Sequence, residues 1–210
     1  GRDAPRLEQI ADDVRVRHDA AVTTERFEAL EIDGHADFLA RVDADHGPLD
    51  GMLWAIGAMS GEGEDALPAR TVLDVNYTAA MAVFEAAAER FRTRGRGHLV
   101  GIGSVAGDRG RAKNYVYGAA KAALATYLQG LRQRLSPHGV HVLTVKPGFV
   151  RTRMTRGKEG LFLVAEPERV AEAVLRAVDR RRSIIYVPWF WRLIMLVIRA
   201  IPEILFKRMR

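Results

Sequence analysis

Short apolar runs that stop at glycine or proline alternate with long alanine- and leucine-rich stretches along this chain, and that alternation limits the folds open to it. The runs are Asp50-Gly-Met-Leu-Trp-Ala-Ile-Gly57, His98-Leu-Val-Gly-Ile-Gly-Ser104, Val140-His-Val-Leu-Thr-Val-Lys146 and Ser183-Ile-Ile-Tyr-Val187. Each has the length and continuous apolar character of a buried parallel strand. Between them, Thr71–Arg94, Tyr117–Leu135 and Glu166–Arg182 carry helical periodicity, with Gly95 placed as a C-cap and Pro167 in a first turn. A helix over Ala4–Arg17 and a strand over Val22–Ile32 precede them. Alternating strand and helix predicts an α/β fold, a doubly wound parallel sheet with helices on both faces. At 210 residues the chain is one domain with a substantial core.

The chemistry-bearing feature is Tyr117-Gly-Ala-Ala-Lys121, with Ser104 at the end of an apolar run upstream. A phenol and an ammonium at i and i+4 share one helix face. A nearby cation favours the phenolate and predicts a lowered tyrosine pKa. Such a phenol can give a proton to a carbonyl oxygen as hydride arrives, or take one in reverse. Taken alone, the pair is equally the pattern of a half-buried helix with a snorkelling lysine.

The neighbours add a resemblance. Asn76, Ser104, Tyr117 and Lys121 resemble the catalytic tetrad of the short-chain dehydrogenase/reductase family in order and approximate spacing. Pro147-Gly148-Phe-Val150-Arg-Thr152 looks like that family's Pro-Gly motif, and Asp33 resembles its adenine-binding acid. The resemblance runs to about Val187 and implies a Rossmann-like sheet and a nicotinamide cofactor. It implies that Ser104 polarises the substrate oxygen and Tyr117 transfers the proton. Lys121 would tune the phenol and hold the nicotinamide ribose, and Asn76 would anchor a water leading to Lys121. Gly57, Pro147, Gly148, Val150 and Thr152 would line the cofactor. Arg2 resembles the basic residue that reads the 2′-phosphate of NADP, which favours NADPH over NAD; an exposed arginine near a helix start is the alternative. Ala55-Ile56-Gly57 departs from the family's Asn-Asn-Ala-Gly. Asn76-Tyr-Thr-Ala-Ala80, Val150-Arg-Thr-Arg-Met154 and the C-terminal tail resemble the keto-reductases of the decaprenylphosphoryl-ribose 2′-epimerase system. That likeness implies a keto-sugar on a polyprenyl phosphate as substrate.

The family's glycine-rich phosphate-binding turn does not precede Gly1, so the fold is expected to lack its first strand-helix-strand unit over residues 1–188. Gly101-Ile-Gly103-Ser-Val-Ala106 fits the loose form of that fingerprint, but Asp108-Arg-Gly-Arg follows it as a loop. In the family's strand order, the strand over Val22–Ile32 would stand about 14 Å from its nearest remaining neighbour, leaving a gap inside the sheet. A second reading is therefore a non-catalytic relative that serves as a binding or membrane-associated protein. The chain as given is expected to bind NADPH more weakly than micromolar, which a fluorescence titration checks.

Cysteine is absent, which removes disulfides and thiolate metal sites and is compatible with the cytoplasm; the six histidines show no ligand-like spacing, so no metal is expected. Net charge is +6. No nucleic-acid motif accompanies it. Arg109, Arg111 and Lys113, between Ser104 and Tyr117, read either as contacts for a substrate phosphate or as a solvated loop. Gly61-Glu-Gly-Glu-Asp65 reads as an acidic surface loop. Residues 189–210 form an amphipathic tail with tryptophans at one end and Lys207, Arg208 and Arg210 at the other. Its longest apolar run, Leu193 to Ile198, falls far short of the ~20 residues of a spanning helix. Arg192, Arg199 and Glu203 share one line at ~100° per residue. The tail reads as an interfacial helix on the inner face of an anionic membrane, an oligomer contact or a lid over the substrate cleft. Pro202 is expected to bend or divide it. A small-molecule or lipid-linked carbonyl substrate and a homo-oligomeric assembly complete the expectations.

Overall fold

In the computed structural model, residues 1–59, 66–155, 157 and 160–209 are described. The acidic stretch 61–65 and Arg210 lie outside them. Helices α1 (Ala4–His18) and α2 (His35–His46) lead into strand β1 (Gly51–Trp54). A long helical stretch follows, made of α3 (Ala69–Leu73), a π-turn (Asp74–Thr78) and α4 (Ala79–Arg94). Then come β2 (His98–Ile102), α5 (Tyr115–Leu135), β3 (His141–Pro147), α6 (Pro167–Asp179) and β4 (Ile184–Val187). Helices α7 (Trp191–Ala200) and α8 (Glu203–Phe206) close the described chain.

The four described strands form one parallel sheet in the order β1-β2-β3-β4. Successive residues of the central strands face opposite layers. Leu99 and Val142 enter a core with Phe84, Leu124 and Leu128 from α4 and α5. Val100, Leu143 and Val145 enter a second core with Val174 and Ala177 of α6. This period of two, with both sides apolar, is why the strands read as continuous hydrophobic runs. The helix ends are set locally. Asp3 caps α1 by accepting from the Arg6 amide at 3.1 Å, and Gly95 ends α4 at φ +68°.

Two expectations are corrected here. Val22–Ile32 forms no strand, and the predicted gap inside the sheet does not arise. No described strand adjoins β1 on its outer side, so this segment has no ladder to join. Its backbone is tied through the Phe27 amide to the Gly1 carbonyl at 2.8 Å. Phe27 itself packs edge-on against Phe38 and Trp54, with ring centroids at 4.9 and 6.0 Å. Helix α2 has no counterpart in the sequence reading.

Leu128 is fully buried at the contact between α5 and β2, over the bare backbone of Gly101. Leu128→Ala is expected to destabilise the protein by about 2–5 kcal/mol, measured as a shift of the urea midpoint without a change in slope.

Candidate active site

Several of the predicted site residues gather where the parallel strands end. Ser104 follows β2 by two residues, Gly57 follows β1, and Pro147 is the last residue of β3. In an open parallel sheet, ligands bind at this carboxyl edge. Helix α5 then runs past the edge and brings Tyr117 and Lys121 to it from one face, as the i, i+4 spacing requires.

Lys121 is buried and donates from Nζ to the Ile102 carbonyl at 2.9 Å. Its ammonium stands 5.7 Å from the centre of the Tyr117 ring. The Ser104 hydroxyl acts on the phenol in the direction that favours its ionised form. Ser104 Oγ also accepts from the Ala106 amide at 3.1 Å, which fixes its rotamer and leaves its hydrogen free to donate.

Asn76 is fully buried within the π-turn. Its Nδ2 donates to the Val72 carbonyl at 2.8 Å and to the Ala58 carbonyl at 2.5 Å, while Oδ1 accepts from the Ala58 amide at 3.3 Å. The side chain thus takes over the carbonyl one turn back, and the Ala79 amide reaches instead to Asp74. Such widened turns concentrate at functional sites. Here the widening joins α3 to the loop after β1.

Two glycines set the distance between the Ser104 turn and α5. A Cβ on Gly107 would stand 2.8 Å from the backbone at Lys121 and Ala122, and one on Gly118 would stand 2.8 Å from the Ala106 carbonyl. Backbone packs on backbone, with no room for a side chain between. The sequence reading passed over both positions. The available signal was Gly118, a residue of minimal size between the tyrosine and the lysine.

The electrostatics carry a correction. The Tyr117–Lys121 pairing predicts a lowered phenol pKa, but burial raises it, with the Ser104 hydrogen bond pulling the other way. The lysine is pushed down to about 8 by burial. Its Nζ is directed at a carbonyl, and desolvation of both groups dominates.

The remaining predicted residues lie around this cluster or away from it. Gly148 donates its amide to the Val187 carbonyl at 3.0 Å and sits directly beneath the buried indole of Trp191. Val150 forms a bridge to Ala165, and its carbonyl accepts from Thr155 Oγ1 at 2.6 Å. The Thr152 amide donates to Thr155 Oγ1 at 3.0 Å. Arg2 pairs with Glu28 at 3.8 Å, and Asp33 lies in the turn Ile32–Gly34. Among the described residues no contact joins Arg2 or Asp33 to the tetrad. Arg109 is engaged by the tail. It donates to the Arg199 carbonyl at 3.1 Å and to Glu203 at 2.7 Å, and its guanidinium covers the Phe206 ring at 4.2 Å.

The short chain dehydrogenase family model matches residues 1–160. The chain belongs to the short-chain dehydrogenase/reductase family. An uncharacterised oxidoreductase of Mycobacterium tuberculosis is 36% identical over 211 residues, covering 99% of this chain and 85% of the relative. One of Streptomyces coelicolor is 34% identical, covering 99% and 83%. Among solved structures, a short-chain dehydrogenase from Sphingobium yanoikuyae in complex with NADPH is 27% identical with a TM-score of 0.81, covering 100% of this chain and 85% of that one. The protein is an oxidoreductase of this family with its Rossmann-like fold, and the family implies a nicotinamide cofactor. The tetrad end of the cleft fits the ribose end of such a group. A Cβ on Gly57 would lie 3.0 Å from Asn76 Oδ1 and 3.5 Å from Lys121 Nζ, so the bare glycine leaves both polar groups approachable.

Lys121 has a folded pKa near 8, below its unfolded value near 10.5. Between those values the unfolded chain holds a proton that the native state has released, so stability rises with pH across that window. Below pH 8 the native state carries a buried charge at a cost. Lys121→Met is therefore expected to raise stability at pH 7 by on the order of 1–2 kcal/mol, with the gain shrinking as pH rises from 8 towards 10. Thermal melts across that range check it.

Proposed function

We propose that the protein is an NADPH-dependent reductase of a bulky carbonyl compound, with alcohol oxidation as the reverse reaction. One observation carries this reading: Ser104, Tyr117, Lys121 and Asn76 come to the carboxyl edge of a parallel sheet, with Asn76 Oδ1 and Lys121 Nζ both beside bare Gly57 and the ammonium 5.7 Å from the centre of the Tyr117 ring. A bound nicotinamide supplies the hydride. Ser104 donates its free hydrogen to the substrate oxygen and stabilises the charge that develops there. Tyr117 gives that oxygen its proton. The raised phenol pKa keeps the proton in place at neutral pH, which suits reduction. Lys121, changing charge near pH 8, restores it. Asn76 holds the loop after β1 against the helix that carries it.

NADPH is favoured over NAD because the Sphingobium yanoikuyae relative holds NADPH. Arg2, with three quarters of its side chain exposed and Glu28 at 3.8 Å, would exchange that pairing for a 2′-phosphate. Asp33 would serve the adenine. Gly57, Pro147, Gly148, Val150 and Thr152 would line the nicotinamide end.

For the substrate, we favour a keto-sugar linked to a polyprenyl phosphate, reduced on the cytoplasmic face of a membrane. Arg111 and Lys113 are exposed between Ser104 and Tyr117 and have no ion-pair partner among the described residues. The tail adds exposed apolar surface at Trp189, Leu193, Leu196 and Val197. No described helix is long and apolar enough to cross a membrane, so the contact is peripheral.

A screen of carbonyl compounds at millimolar NADPH, followed by cofactor absorbance, tests the reading. Tyr117→Phe is expected to lower kcat/KM by at least about 100-fold with cofactor affinity nearly unchanged. Turnover that survives the substitution rules out Tyr117 as the acid.

A further inference from the structure

A cavity of about 1310 Å³ opens between α5, β4 and α7, and no residue of the tetrad lines it. Its walls carry Lys146, Arg180, Arg181, Arg182, Arg192 and Arg199. The acid there is Asp108, and it is already satisfied. Its carboxylate is nearly fully buried, takes the Lys146 ammonium at 2.5 Å and accepts from the Tyr186 hydroxyl at 2.8 Å. Arg181 donates to the Gly139 carbonyl at 3.0 Å. The guanidinium groups of Arg180, Arg182, Arg192 and Arg199 have no carboxylate partner among the described residues. The cavity therefore holds an unbalanced positive charge within a concave wall, the arrangement that attracts anions.

The geometry of α7 states what kind of anion. Arg192 and Arg199 are seven residues apart, so they share one side of the helix, about two turns from each other along its axis. Both line the cavity together with Tyr186. Trp191 and Met195 occupy the adjacent side and are buried in the protein. The opposite side carries Leu193, Leu196 and Val197, all more than half exposed, and Trp189 at 71% exposure also lines the cavity. The cationic pocket and the apolar face thus share one helix and one tryptophan. A free phosphate has no use for the apolar face, and an apolar protein partner has none for the arginines.

We propose that this cavity seats the phosphate of an anionic phospholipid, with the outer face of α7 lying among the acyl chains. Arg182, Arg192 and Arg199 contact the phosphate, and Trp189 lies at the level of the headgroups. The proposal deepens the membrane location given above and is independent of the chemistry at Tyr117.

The test is flotation of the whole chain with vesicles of phosphatidylcholine alone or mixed with phosphatidylglycerol. Binding is expected to the mixed vesicles and to weaken with salt. Arg192→Gln/Arg199→Gln, at two exposed positions, is expected to bind them about thirty-fold more weakly, the effect of two surface cations at about 1 kcal/mol each. Unchanged thermal melts would show that the variant folds. Leu193→Ser/Val197→Ser should also lose the vesicles while keeping the cavity's charge. Equal binding to both vesicle types, unaffected by the arginine changes, would overturn the headgroup site while leaving a membrane contact standing. Tight binding of inorganic phosphate without vesicle binding would overturn it in favour of a soluble anion. NADPH-linked turnover of a soluble carbonyl compound by the same variants reports separately on the reductase reading, since neither arginine touches the tetrad.

Discussion

The hydrogen bond from buried Lys121 to the Ile102 carbonyl is the contact around which the carboxyl edge of the sheet is organised. It joins the second turn of α5 to the last residue of β2. An ammonium removed from water is costly unless its hydrogens find acceptors. The end of a parallel strand supplies one, since its terminal carbonyl has no further ladder to complete. The same placement puts the charge beside Gly57 and Asn76 and on the Tyr117 side of the cleft. Burial that weakens the charge of Lys121 also strengthens the hold of Tyr117 on its proton. The two shifts have one cause, the desolvation of both groups.

Much of this was legible before any coordinates. The runs ending at Gly57, Ser104, Lys146 and Val187 hold the strands, because continuous apolar character with flanking breakers is local information. Tyr117 and Lys121 were legible for the same reason, through helical spacing. The segment Val22–Ile32 was misread because a strand exists only in relation to a neighbour. Phe27, Ala29 and Ile32 are packed against the core, yet the backbone between them has no ladder partner. Helix α2 was overlooked because Asp37, Asp43 and Asp45 interrupt the apolar pattern of Phe38, Leu39 and Val42. The sign of the phenol shift was beyond reach altogether, since desolvation depends on chains remote in sequence.

The tail shows the difference between amphipathic pattern and docking. Its periodicity identified the charged line through Arg192 and Arg199, and Pro202 separates α7 from α8. What periodicity did not contain is that Trp191 covers Gly148 and that Arg109 reaches across to Glu203 and Phe206. Those contacts make the tail part of the walls around two loops that flank the cleft. Arg109 is thereby engaged by the fold, and Arg111 and Lys113 remain the exposed cations of that loop.

The paired approach of Gly107 and Gly118 has a bearing on variation. A separation maintained by main chain against main chain does not depend on which side chains fill the surrounding layers. Helices and loops nearby are free to diverge in composition, and pockets to change shape, while the spacing between hydroxyl and phenol stays put. The surrounding pocket can then drift in evolution, or be redesigned in the laboratory, without resetting that spacing each time.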